Sequence, residues 1–364
     1  MSNLRTFYFL VVLTMYSVLF SLSIAPCFSQ ESVKIGAYYF DGWTGKTYHI
    51  SENLKTNFKD REPIWGWVTS TQEIIDNQIL LASEAGLDFF NFCWYYTGVH
   101  GKNIDVDPKN NALKLYLSSK EKSKLKFSLM IANHGKHYTI KQEHWNVVTD
   151  YWCKLFADPH YLRVDDKPLI TFFSLGPLVE TFGGSTAKVR EALDDFRAKA
   201  KKLGVRGVSI AVCLDPRNEQ HVDYAKRCGF DILTGYNYPQ SGFDGNEQVL
   251  NIAKLLNAET VIWDKAKTTG FPYIPVTTLN WDQRAWEDVN PSLKGAKRYT
   301  NYSKKSVKKS VANLKKWLLN NPEYATINKV GFLYAWNEYG EGAWLTPSIG
   351  LSNKLLKGLK QGLR

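Results

Sequence analysis

Short apolar runs and longer amphipathic stretches alternate along the chain from Val33 onward. Eight runs have the length and the content of buried strands, and segments with helical spacing lie between them. The predicted strands are 34–40, 86–94, 126–134, 168–173, 205–214, 230–238, 273–281 and 329–336. The predicted helices are 71–84, 110–119, 144–156, 186–203, 219–227, 246–266, 305–319 and 351–363. Eight βα units with short connections predict an α/β fold of the (β/α)8 TIM-barrel type.

A doubly wound open sheet is the alternative architecture for such a rhythm. No G-x-G-x-x-G follows the first strand, as it would in a dinucleotide-binding version of that fold. The chain has 364 residues, of which 44% are hydrophobic and 22% are charged, so it has the size of one large barrel with insertions and the composition of a packed core. We therefore predict one catalytic domain, residues 30–364.

Residues 1–29 have a different pattern. Arg5 precedes a charge-free run over residues 6–26, and the small residues Cys27 and Ser29 occupy the third and first positions before a cut after Ser29. This is the layout of a secretory signal peptide. We expect cleavage near Ser29 and a secreted or periplasmic protein. An uncleaved membrane anchor is the rival interpretation, because the run is just long enough to span a bilayer.

The charge balance is basic, with a formal net charge of +11. Such a surface would attract an anionic polysaccharide, so a sulfated or uronate-bearing substrate is one option. Nucleic acid would favour the same charge, but no nucleic-acid motif is present. Six lysines between 304 and 316 flank the apolar positions of one predicted helix and are typical of its solvated face. We expect no nucleic-acid partner, and no stable membrane insertion after signal cleavage.

Cysteine and histidine spacing gives no metal site. The chain beyond the signal has four cysteines, Cys93, Cys153, Cys213 and Cys228. None forms a C-x-x-C pair, so zinc is not predicted. A disulfide between Cys213 and Cys228 is conceivable in an oxidising compartment, and the sequence does not decide it. His134 and His137 lie three positions apart, but no third ligand accompanies them. We expect no metal and no cofactor.

Polar and aromatic residues gather at the predicted C-terminal ends of the strands, where barrel enzymes place their active groups. The chain is rich in aromatic residues, with 12 Trp, 20 Tyr and 19 Phe, and sugars are commonly bound by apolar stacking on such rings. A role in the packed core is the competing interpretation for each ring. The predicted substrate contacts are Tyr38, Tyr39, Trp94, Tyr95, Asn133, His134, Tyr236, Tyr238, Trp281, Asp282, Trp336 and Asn337.

The eighth predicted strand ends in W-N-E-Y-G-E-G (336–342), which places Glu338 and Glu341 three positions apart. Burying unpaired carboxylates is costly, and a structural strand has no need of two at its end. A glycosidase does need a pair of carboxyl groups near the scissile bond. The fourth strand ends without a carboxylate, which excludes the plan with an acid on strand four and a nucleophile on strand seven.

These residues together resemble a known family. The opening Y-Y-F-D-G-W (38–43), the G-L-D-F-F strand (86–90) with its Trp-Tyr ending, the Trp-Asp pair at 281–282 and the A-W-N-E-Y-G-E-G segment (335–342) are similar to the WbsX-like proteins, which are relatives of glycoside hydrolase family 99. The last motif is the specific one. The resemblance implies a (β/α)8 barrel and an endo-acting hydrolase of α-mannan or N-glycans. Many WbsX-like proteins also carry a glycosyltransferase label.

The resemblance also implies roles for the two glutamates. Glu338 would deprotonate the 2-hydroxyl of the sugar, whose oxygen would displace the leaving group and form a 1,2-anhydro sugar. Glu341 would protonate the departing oxygen and then act as base on water, so that the anomeric configuration is retained. Tyr339 and Gly340 stand where family 99 enzymes usually have Trp and His, so mannose does not follow. The 2-hydroxyl must lie trans to the leaving group, which α-mannosides, α-rhamnosides, β-glucosides and β-galactosides satisfy and α-glucosides do not.

Three function classes follow. The favoured one is an exported glycoside hydrolase acting on an oligo- or polysaccharide. The second is a glycosyltransferase of polysaccharide biosynthesis, against which the signal peptide and the missing nucleotide-binding motif argue. The third is a non-catalytic carbohydrate-binding barrel, against which the retention of both glutamates argues.

Overall fold

Parallel strands and helices alternate along the described part of the chain. The computed structural model describes residues 33–98, 104 and 106–364, so the predicted signal peptide lies outside the described residues. The barrel strands are β1 Lys34–Tyr39, β2 Phe89–Trp94, β3 Lys126–Ile131, β4 Lys167–Phe172, β5 Ser209–Cys213, β6 Ile232–Thr234, β7 in two segments, Tyr273–Ile274 and Val276–Thr278, and β8 Val330–Tyr334. The main helices are α1 Gln72–Ala85, α2 Asn111–Ser118, α3 Trp145–Leu155, α4 Thr186–Lys202, α5 Glu219–Cys228, α6 Ile252–Ala266, α7 Lys304–Asn320 and α8 Lys354–Leu363. Shorter helices occupy Glu52–Asn57, Gly135–Tyr138 and Leu175–Thr181.

The strands pair in parallel, and their pairing closes on itself. β1 lies between β2 and β8, and the order continues through β3, β4, β5 and β6 to β7. The first segment of β7 pairs with β6, and its second segment pairs with β8. Pro275 separates the two segments, because proline has no N–H to give to the ladder. The predicted (β/α)8 barrel is therefore confirmed as one domain, and the open sheet is excluded.

Several predicted elements have different bounds in the structure, and two of these differences shape the loops at the barrel mouth. The strand predicted at 230–238 ends at Thr234, so its last residues form a loop above the barrel. The helix predicted at 246–266 begins at Ile252, because the Asn251 side chain caps it by accepting the N–H of Ala253. The residues before this cap, Val249–Asn251, pair instead with the short strand Arg298–Thr300.

The lysine-rich helix α7 shows the amphipathic division that the sequence indicates. Its apolar stripe, which includes Val307, Val311, Leu314 and Leu318, is buried. Four of the six lysines are exposed and the other two are partly exposed. These six lysines therefore belong to the solvated outer face of the helix layer.

Side chains along each barrel strand alternate between the barrel interior and the helix layer. On β1, the ring of Tyr38 packs on Phe332 of β8 with 4.9 Å between ring centroids, so it lies inside the barrel. The next residue, Tyr39, packs on Phe92 and faces the helices. This alternation decides which of the predicted substrate contacts can reach the mouth.

The four described cysteines are free, and all are buried. The conceivable disulfide between Cys213 and Cys228 is therefore not formed. The Cys213 sulfur lies instead inside the barrel, 3.9 Å from the hydroxyl of Tyr38. Among the described helices, none combines the length and apolar character needed to cross a bilayer.

Candidate active site

Both candidate catalytic glutamates lie on a short β-hairpin that follows β8. Asn337–Glu338 pairs in antiparallel fashion with Ala343–Trp344, and Glu341 lies in the turn. Gly342 closes the turn with a φ of +75°, a left-handed conformation that glycine adopts without strain. The hairpin stands at the C-terminal ends of the strands, where barrel enzymes assemble their active sites. We call residues 337–344 the glutamate hairpin.

The Glu338 carboxyl is buried and only partly hydrogen-bonded. Glu338 is 3% exposed, and the Tyr236 hydroxyl donates a hydrogen bond of 3.3 Å to its Oε1. Its Oε2 has no hydrogen-bond partner among the described residues. Burial raises the pKa of Glu338 to about 8, although the hydrogen bond from Tyr236 opposes the rise. An unsatisfied buried acid destabilises a fold, so its presence at a barrel mouth indicates a functional group.

The Glu341 carboxyl is partly buried and accepts one side-chain hydrogen bond. The Gln283 amide donates to Oε1 of this carboxyl over 2.8 Å. The backbone carbonyl of Glu341 accepts the backbone N–H of Asp282 over 2.7 Å, which fixes the turn. Burial raises the pKa of Glu341 to about 7, and the bond from Gln283 lowers it in part. Both glutamates therefore titrate near neutral pH, where a side chain can both take and give a proton.

A buried arginine holds the glutamate hairpin in place. Arg61 Nη1 donates to the carbonyls of Asp282 and Tyr339, each over 3.0 Å, and Nη2 forms an ion pair with Asp282 Oδ2 at 2.7 Å. Arg284 donates to both oxygens of Asp282, from Nε to Oδ1 and from Nη2 to Oδ2, each over 2.9 Å. Burial alone would raise the pKa of Asp282, but the hydrogen bonds from Arg284 and the charge of Arg61 outweigh it and lower that pKa. Asp282, predicted to contact substrate, is thus an ionised anchor for this arginine.

The two residues between the glutamates face the protein and not the cleft. A Cβ on Gly340 would lie 2.0 Å from the indole ring of Trp286, so only glycine fits beneath that ring. Tyr339 is fully buried, and its hydroxyl shares a 2.9 Å hydrogen bond with Thr346. The departure from the family 99 pattern at 339–340 is therefore accommodated by packing, and neither side chain is placed to select the sugar by contact.

Aromatic rings form the wall beside Glu338. The ring of Tyr236 packs on Phe173 at 5.1 Å and on Tyr334 at 4.8 Å between centroids. His134 continues the wall, with its ring 5.0 Å from Phe173 and 6.3 Å from Tyr95. Burial, with a smaller contribution from Lys109, lowers the pKa of His134, so this imidazole is neutral at physiological pH. Such a wall offers flat apolar faces together with polar edges.

Five predicted contacts meet at the mouth of the barrel around this wall. They are Tyr38, Tyr95, His134, Tyr236 and Trp281. Tyr38 lies deepest, with its ring 5.0 Å from that of Tyr236 and its hydroxyl bonded to the carbonyl of Gly235 at 2.7 Å. It supports the wall from below, and the other four are placed nearer the opening.

Three predicted aromatic contacts are turned away from the mouth, which corrects their assignment. Tyr39 and Trp94 occupy strand positions that face the helix layer, and Trp94 packs on Trp152 of α3 at 5.5 Å. Trp336 donates to Gln78 of α1 over 2.7 Å. The sequence marks the strand ends but does not give the direction of each side chain, which sends these three rings into the core. The hydroxyl of Tyr238 bonds to that of Tyr273 at 2.9 Å, and this residue lines a cavity next to the site.

Two predicted amide contacts have a structural role instead. Asn133 accepts the N–H of Ser174 at 3.0 Å and donates to its carbonyl at 2.7 Å. Asn337 does the same with Phe40, at 2.9 and 2.7 Å. Each side-chain amide makes the two hydrogen bonds that a backbone peptide group would make in the sheet. It thereby joins neighbouring strand ends where the backbone hydrogen bonds of the sheet stop. Their polar atoms face these partners, so the assignment to substrate is corrected.

Several side chains of the cleft escaped the sequence prediction. Gln283 directly follows the predicted Trp-Asp pair, and this position is the only feature of the sequence that points to a role in the site. Lys109 is buried, with its Nζ 2.9 Å from Asp107 and over the rings of Tyr95 and Tyr138 at 4.5 and 4.7 Å. Arg61 lies in a loop whose path only the fold reveals, so no pattern in the sequence points to it.

Metal ligation has no support in the described ranges. No group of three or more His, Cys, Asp or Glu side chains there could hold a metal ion. The polar groups that meet around the glutamate hairpin include two carboxyl groups, the phenol of Tyr236 and the amide of Gln283.

Comparisons with known proteins place the chain. A family model described as Glycosyltransferase WbsX matches residues 67–359. The fold is similar to the family 99 endo-α-mannosidase of Bacteroides thetaiotaomicron, with a TM-score of 0.61, 14% identity, and coverage of 91% of this chain and 97% of that one. It is also similar to a protein described as glycoside hydrolase-like, with a TM-score of 0.60, 14% identity, and coverage of 92% and 94%.

A third similar structure is the exo-β-1,4-mannosidase Op5Man5 of Opitutaceae bacterium strain TAV5, with a TM-score of 0.53, 12% identity, and coverage of 92% of this chain and 59% of that one. At such identities the likeness shows the (β/α)8 fold alone. A comparison with curated proteins finds no match. Because the family model spans most of the barrel and both glutamates, the chain belongs to the WbsX family.

Proposed function

We propose that this protein is a glycoside hydrolase that cleaves an oligo- or polysaccharide with retention of configuration, using Glu338 and Glu341. One observation carries this proposal: the buried carboxyl group of Glu338 and the partly buried one of Glu341, with pKa values raised to about 8 and about 7, stand on one hairpin at the barrel mouth. Neither forms an ion pair within the described residues. Near neutral pH the pair can hold a single proton. The cycle starts from the form in which Glu341 carries that proton, which is the minor form of the free protein because the pKa of Glu338 is the higher of the two.

The first step breaks the glycosidic bond. Glu338, ionised, takes the proton of the 2-hydroxyl, and that oxygen attacks the anomeric carbon from the face opposite the leaving group. The bond to the leaving oxygen breaks as Glu341 gives that oxygen its proton. The product is a 1,2-anhydro sugar, and the single proton of the pair has moved from Glu341 to Glu338.

The second step opens the anhydro ring. Glu341 takes a proton from water, whose oxygen attacks the anomeric carbon, while Glu338 returns its proton to the 2-oxygen. Two inversions give net retention, and both glutamates recover their starting states. Tyr236 donates to Glu338 and would stabilise its ionised form, and Gln283 does the same for Glu341. The similar structure named as a family 99 endo-α-mannosidase supports this reaction class.

A second candidate function is glycosyl transfer, which the description of the matching family favours. The same cycle would transfer the sugar if a hydroxyl of an acceptor replaced water in the second step. The distinction lies in the donor and the acceptor, and the two glutamates would keep their roles.

The test is a screen of the purified protein against mannans, rhamnose-rich chains, β-glucans, β-galactans and uronate or sulfated polymers. Products are measured by mass spectrometry, and the anomer formed first is measured by NMR. We expect discrete oligosaccharides of retained configuration from at least one polymer, and their loss in Glu341→Gln. Glu287→Gln, a substitution of a glutamate outside the hairpin, serves as the matched control and should keep the parent activity.

Other outcomes separate the alternatives. Transfer from a nucleotide-sugar or lipid-linked donor, without cleavage of any polymer, would support the transferase. Binding without either reaction would leave a carbohydrate-binding barrel. A first product of inverted configuration would contradict the anhydro mechanism while keeping the hydrolase.

We also propose that the protein is exported, because residues 1–29 have the layout of a signal peptide. Export would bring the site to extracellular or periplasmic glycans. The measurement is N-terminal sequencing of protein recovered outside the cytoplasm, where we expect a start at Gln30. Recovery of the intact N-terminus in a membrane fraction would support the uncleaved anchor.

A further inference from the structure

A cavity of about 350 Å³ opens beside the glutamate hairpin, at the C-terminal ends of β4, β5 and β6. It shares one wall with the site, because Tyr236, whose hydroxyl donates to Glu338, also lines the cavity. Phe173 continues this aromatic wall, and Asp215 and Arg217 lie among the polar residues that line the cavity. The volume falls within the range of small-ligand sites. A sugar in this cavity would be a neighbour of the one that Glu338 attacks.

The polar side of the cavity is formed by an exposed arginine that pairs with a partly exposed aspartate. Arg217 Nε donates to both oxygens of Asp215 at 3.0 Å, and Nη2 donates to Oδ2 at 2.6 Å. Nη2 also reaches the Ser241 hydroxyl at 3.2 Å. The backbone N–H of Arg217 donates to Asp215 Oδ1 at 2.9 Å, which fixes the carboxylate as well. The Nη1 donors have no partner among the described residues, so they remain available to a ligand.

This pair decides which charge the cavity accepts. The Asp215 carboxylate lies within hydrogen-bond distance of the guanidinium and cancels its charge locally. An acidic group near Arg217 would therefore also meet the field of Asp215, and it would gain little at such short separations. A hydroxyl loses nothing in this way, because it can donate to the carboxylate and accept from Nη1. The local chemistry favours an uncharged, hydroxyl-rich ligand, although the chain as a whole is basic.

We propose that this cavity binds an uncharged sugar unit adjacent to the unit that is cleaved, with Arg217 as the residue that determines its recognition. The apolar face of the sugar would lie against Tyr236 and Phe173, and its hydroxyls would meet Arg217 and Asp215. This inference rests on the proposed function and deepens it. It names a neutral glycan as the substrate class and requires a chain that extends beyond the scissile bond on this side.

The test uses the Glu341→Gln variant of the full chain, which should bind oligosaccharides without cleaving them. Its affinity is measured by calorimetry for ladders of two to six units from mannan, β-glucan, rhamnan and β-galactan, and for oligogalacturonates. We expect one neutral ladder to gain affinity when the chain becomes long enough to fill the cavity. Adding Arg217→Ala should remove that gain, by about ten- to a hundredfold, and leave the shortest ligand unaffected.

Arg206→Ala is the matched control. Arg206 forms a comparable surface ion pair with Asp166 at 2.8 Å, but it lies in the loop before β5, at the opposite end of the barrel. It should leave the whole ladder unchanged. Asp215→Asn provides a second test, because it removes the carboxylate while keeping the shape of the side chain. It should weaken the neutral ladder and improve binding of the oligogalacturonates.

The outcomes separate this inference from the proposed function. If a neutral ladder is bound by the variant and cleaved by the parent, but Arg217→Ala leaves every affinity unchanged, the subsite is overturned and the hydrolase stands. If oligogalacturonates bind best and depend on Arg217, the neutral class is overturned. If no ladder is bound or cleaved, the subsite and the hydrolase fall together.

Discussion

Two buried glutamates, Glu338 at the barrel mouth and Glu259 on α6, have the same ionisation behaviour and opposite surroundings. Burial raises the pKa of each to about 8. Glu259 accepts the N–H of Thr278 on one oxygen at 2.5 Å and the hydroxyl of Thr277 on the other at 2.8 Å. Glu338 has a single bond of 3.3 Å to one oxygen, and its other oxygen has no partner in the described ranges.

The comparison shows that a shifted pKa does not by itself identify a functional acid. Both groups bear the cost of burial, but Glu259 is compensated by hydrogen bonds that join α6 to the end of β7. Glu338 is left undercompensated at an opening where a sugar hydroxyl can supply the missing partner. We infer that a structural acid has a hydrogen-bond partner on each carboxyl oxygen, whereas a functional acid has an oxygen without a partner in the free protein.

Replacing each glutamate by glutamine breaks the comparison most directly. Glu338→Gln should lower kcat/KM by about 10²- to 10⁴-fold, because it removes a group that must exchange a proton in each step. It should leave thermal stability near that of the parent. Glu259→Gln should show the reverse, with activity retained and stability lowered by about 0.5–1.5 kcal/mol, because the amide NH2 must donate to the Thr277 hydroxyl, which then loses its acceptor on residue 259. The measurements are initial rates and denaturant unfolding.

Equal losses of activity in the two variants would contradict this division. So would a Glu259→Gln variant that unfolds at the same denaturant concentration as the parent. In that case the hydrogen bonds to Glu259 would not offset its burial, and the difference between the two acids would have to lie elsewhere.

The two arginines on Asp282 sharpen the comparison, because only one of them contacts the glutamate hairpin. Arg61→Met should destabilise the protein by about 2–4 kcal/mol, since the buried Asp282 carboxylate loses one of its two arginine partners and the Asp282 carbonyl loses its donor. Arg284→Met removes a partly exposed partner of the same aspartate and should cost less than about 1 kcal/mol. Thermal unfolding of both variants gives the stability difference.

Arg61→Lys tests whether Arg61 affects the rate of the reaction through the position of the hairpin, and not only the stability of the protein. It keeps the charge but loses the second arm of the guanidinium, so the hairpin should remain folded and less precisely held. We expect a lower kcat at little-changed KM, together with an altered pH profile of kcat. If both arginine variants behave alike in unfolding and in rate, the hairpin does not depend on Arg61.

The glycine between the glutamates provides a smaller perturbation of the same hairpin. Gly340→Ala should cost about 1–3 kcal/mol, because its Cβ would fall within the indole ring of Trp286 and one of them must move. Gly176→Ala is the control, since its added Cβ meets no atom within 4 Å and its site is helical. It should be neutral or slightly stabilising. The unfolding midpoints of the two variants are compared with that of the parent. Equal midpoints would show that the Trp286 ring can move away from the added Cβ without a loss of stability.

Much of the fold was predictable from the sequence because it follows from periodicity. Each strand predicted between residues 34 and 336 became a barrel strand, and β7, which is divided into two segments, contains Pro275, whose missing N–H interrupts pairing. The bounds failed where a side chain overrode the pattern, as at Asn251, which caps α6 in the middle of a predicted helix. Such caps depend on local geometry that periodicity does not contain.

The candidate site was less predictable, for a physical reason. The two glutamates were found because their chemistry is conspicuous at a strand end, and their catalytic assignment stays a prediction. The phase of each strand was not available, so Trp94 and Trp336 were assigned to the mouth although they face the helices. Arg61 comes from a distant loop, and its role depends on contacts that only the closed barrel creates.

The pH dependence of stability is the smallest effect and tests both acids together. The folded pKa of Glu338 and of Glu259 is about 8, above the value of 4.5 expected for an unfolded chain. A raised acid pKa adds stability that is fully present below pH 4.5 and is lost as the pH rises toward 8. Burial lowers the pKa of His49 to about 3, so its opposite contribution is confined below about pH 6.5. The free energy of unfolding should therefore fall between pH 6.5 and 8.

Each glutamine variant should flatten that fall by about 1 kcal/mol per pH unit, because it removes one proton from the difference between the two states. A bound neutral oligosaccharide then distinguishes the acids. The oligosaccharide should change the part of the pH dependence of the unfolding free energy that comes from Glu338, because it contacts the free oxygen of that residue. The part that comes from Glu259 should stay the same. Unfolding free energies measured from pH 6.5 to 8, with and without ligand, give both slopes. A ligand that changed the slope equally in Glu338→Gln and in the parent would show that the missing partner of Glu338 is not supplied by the sugar.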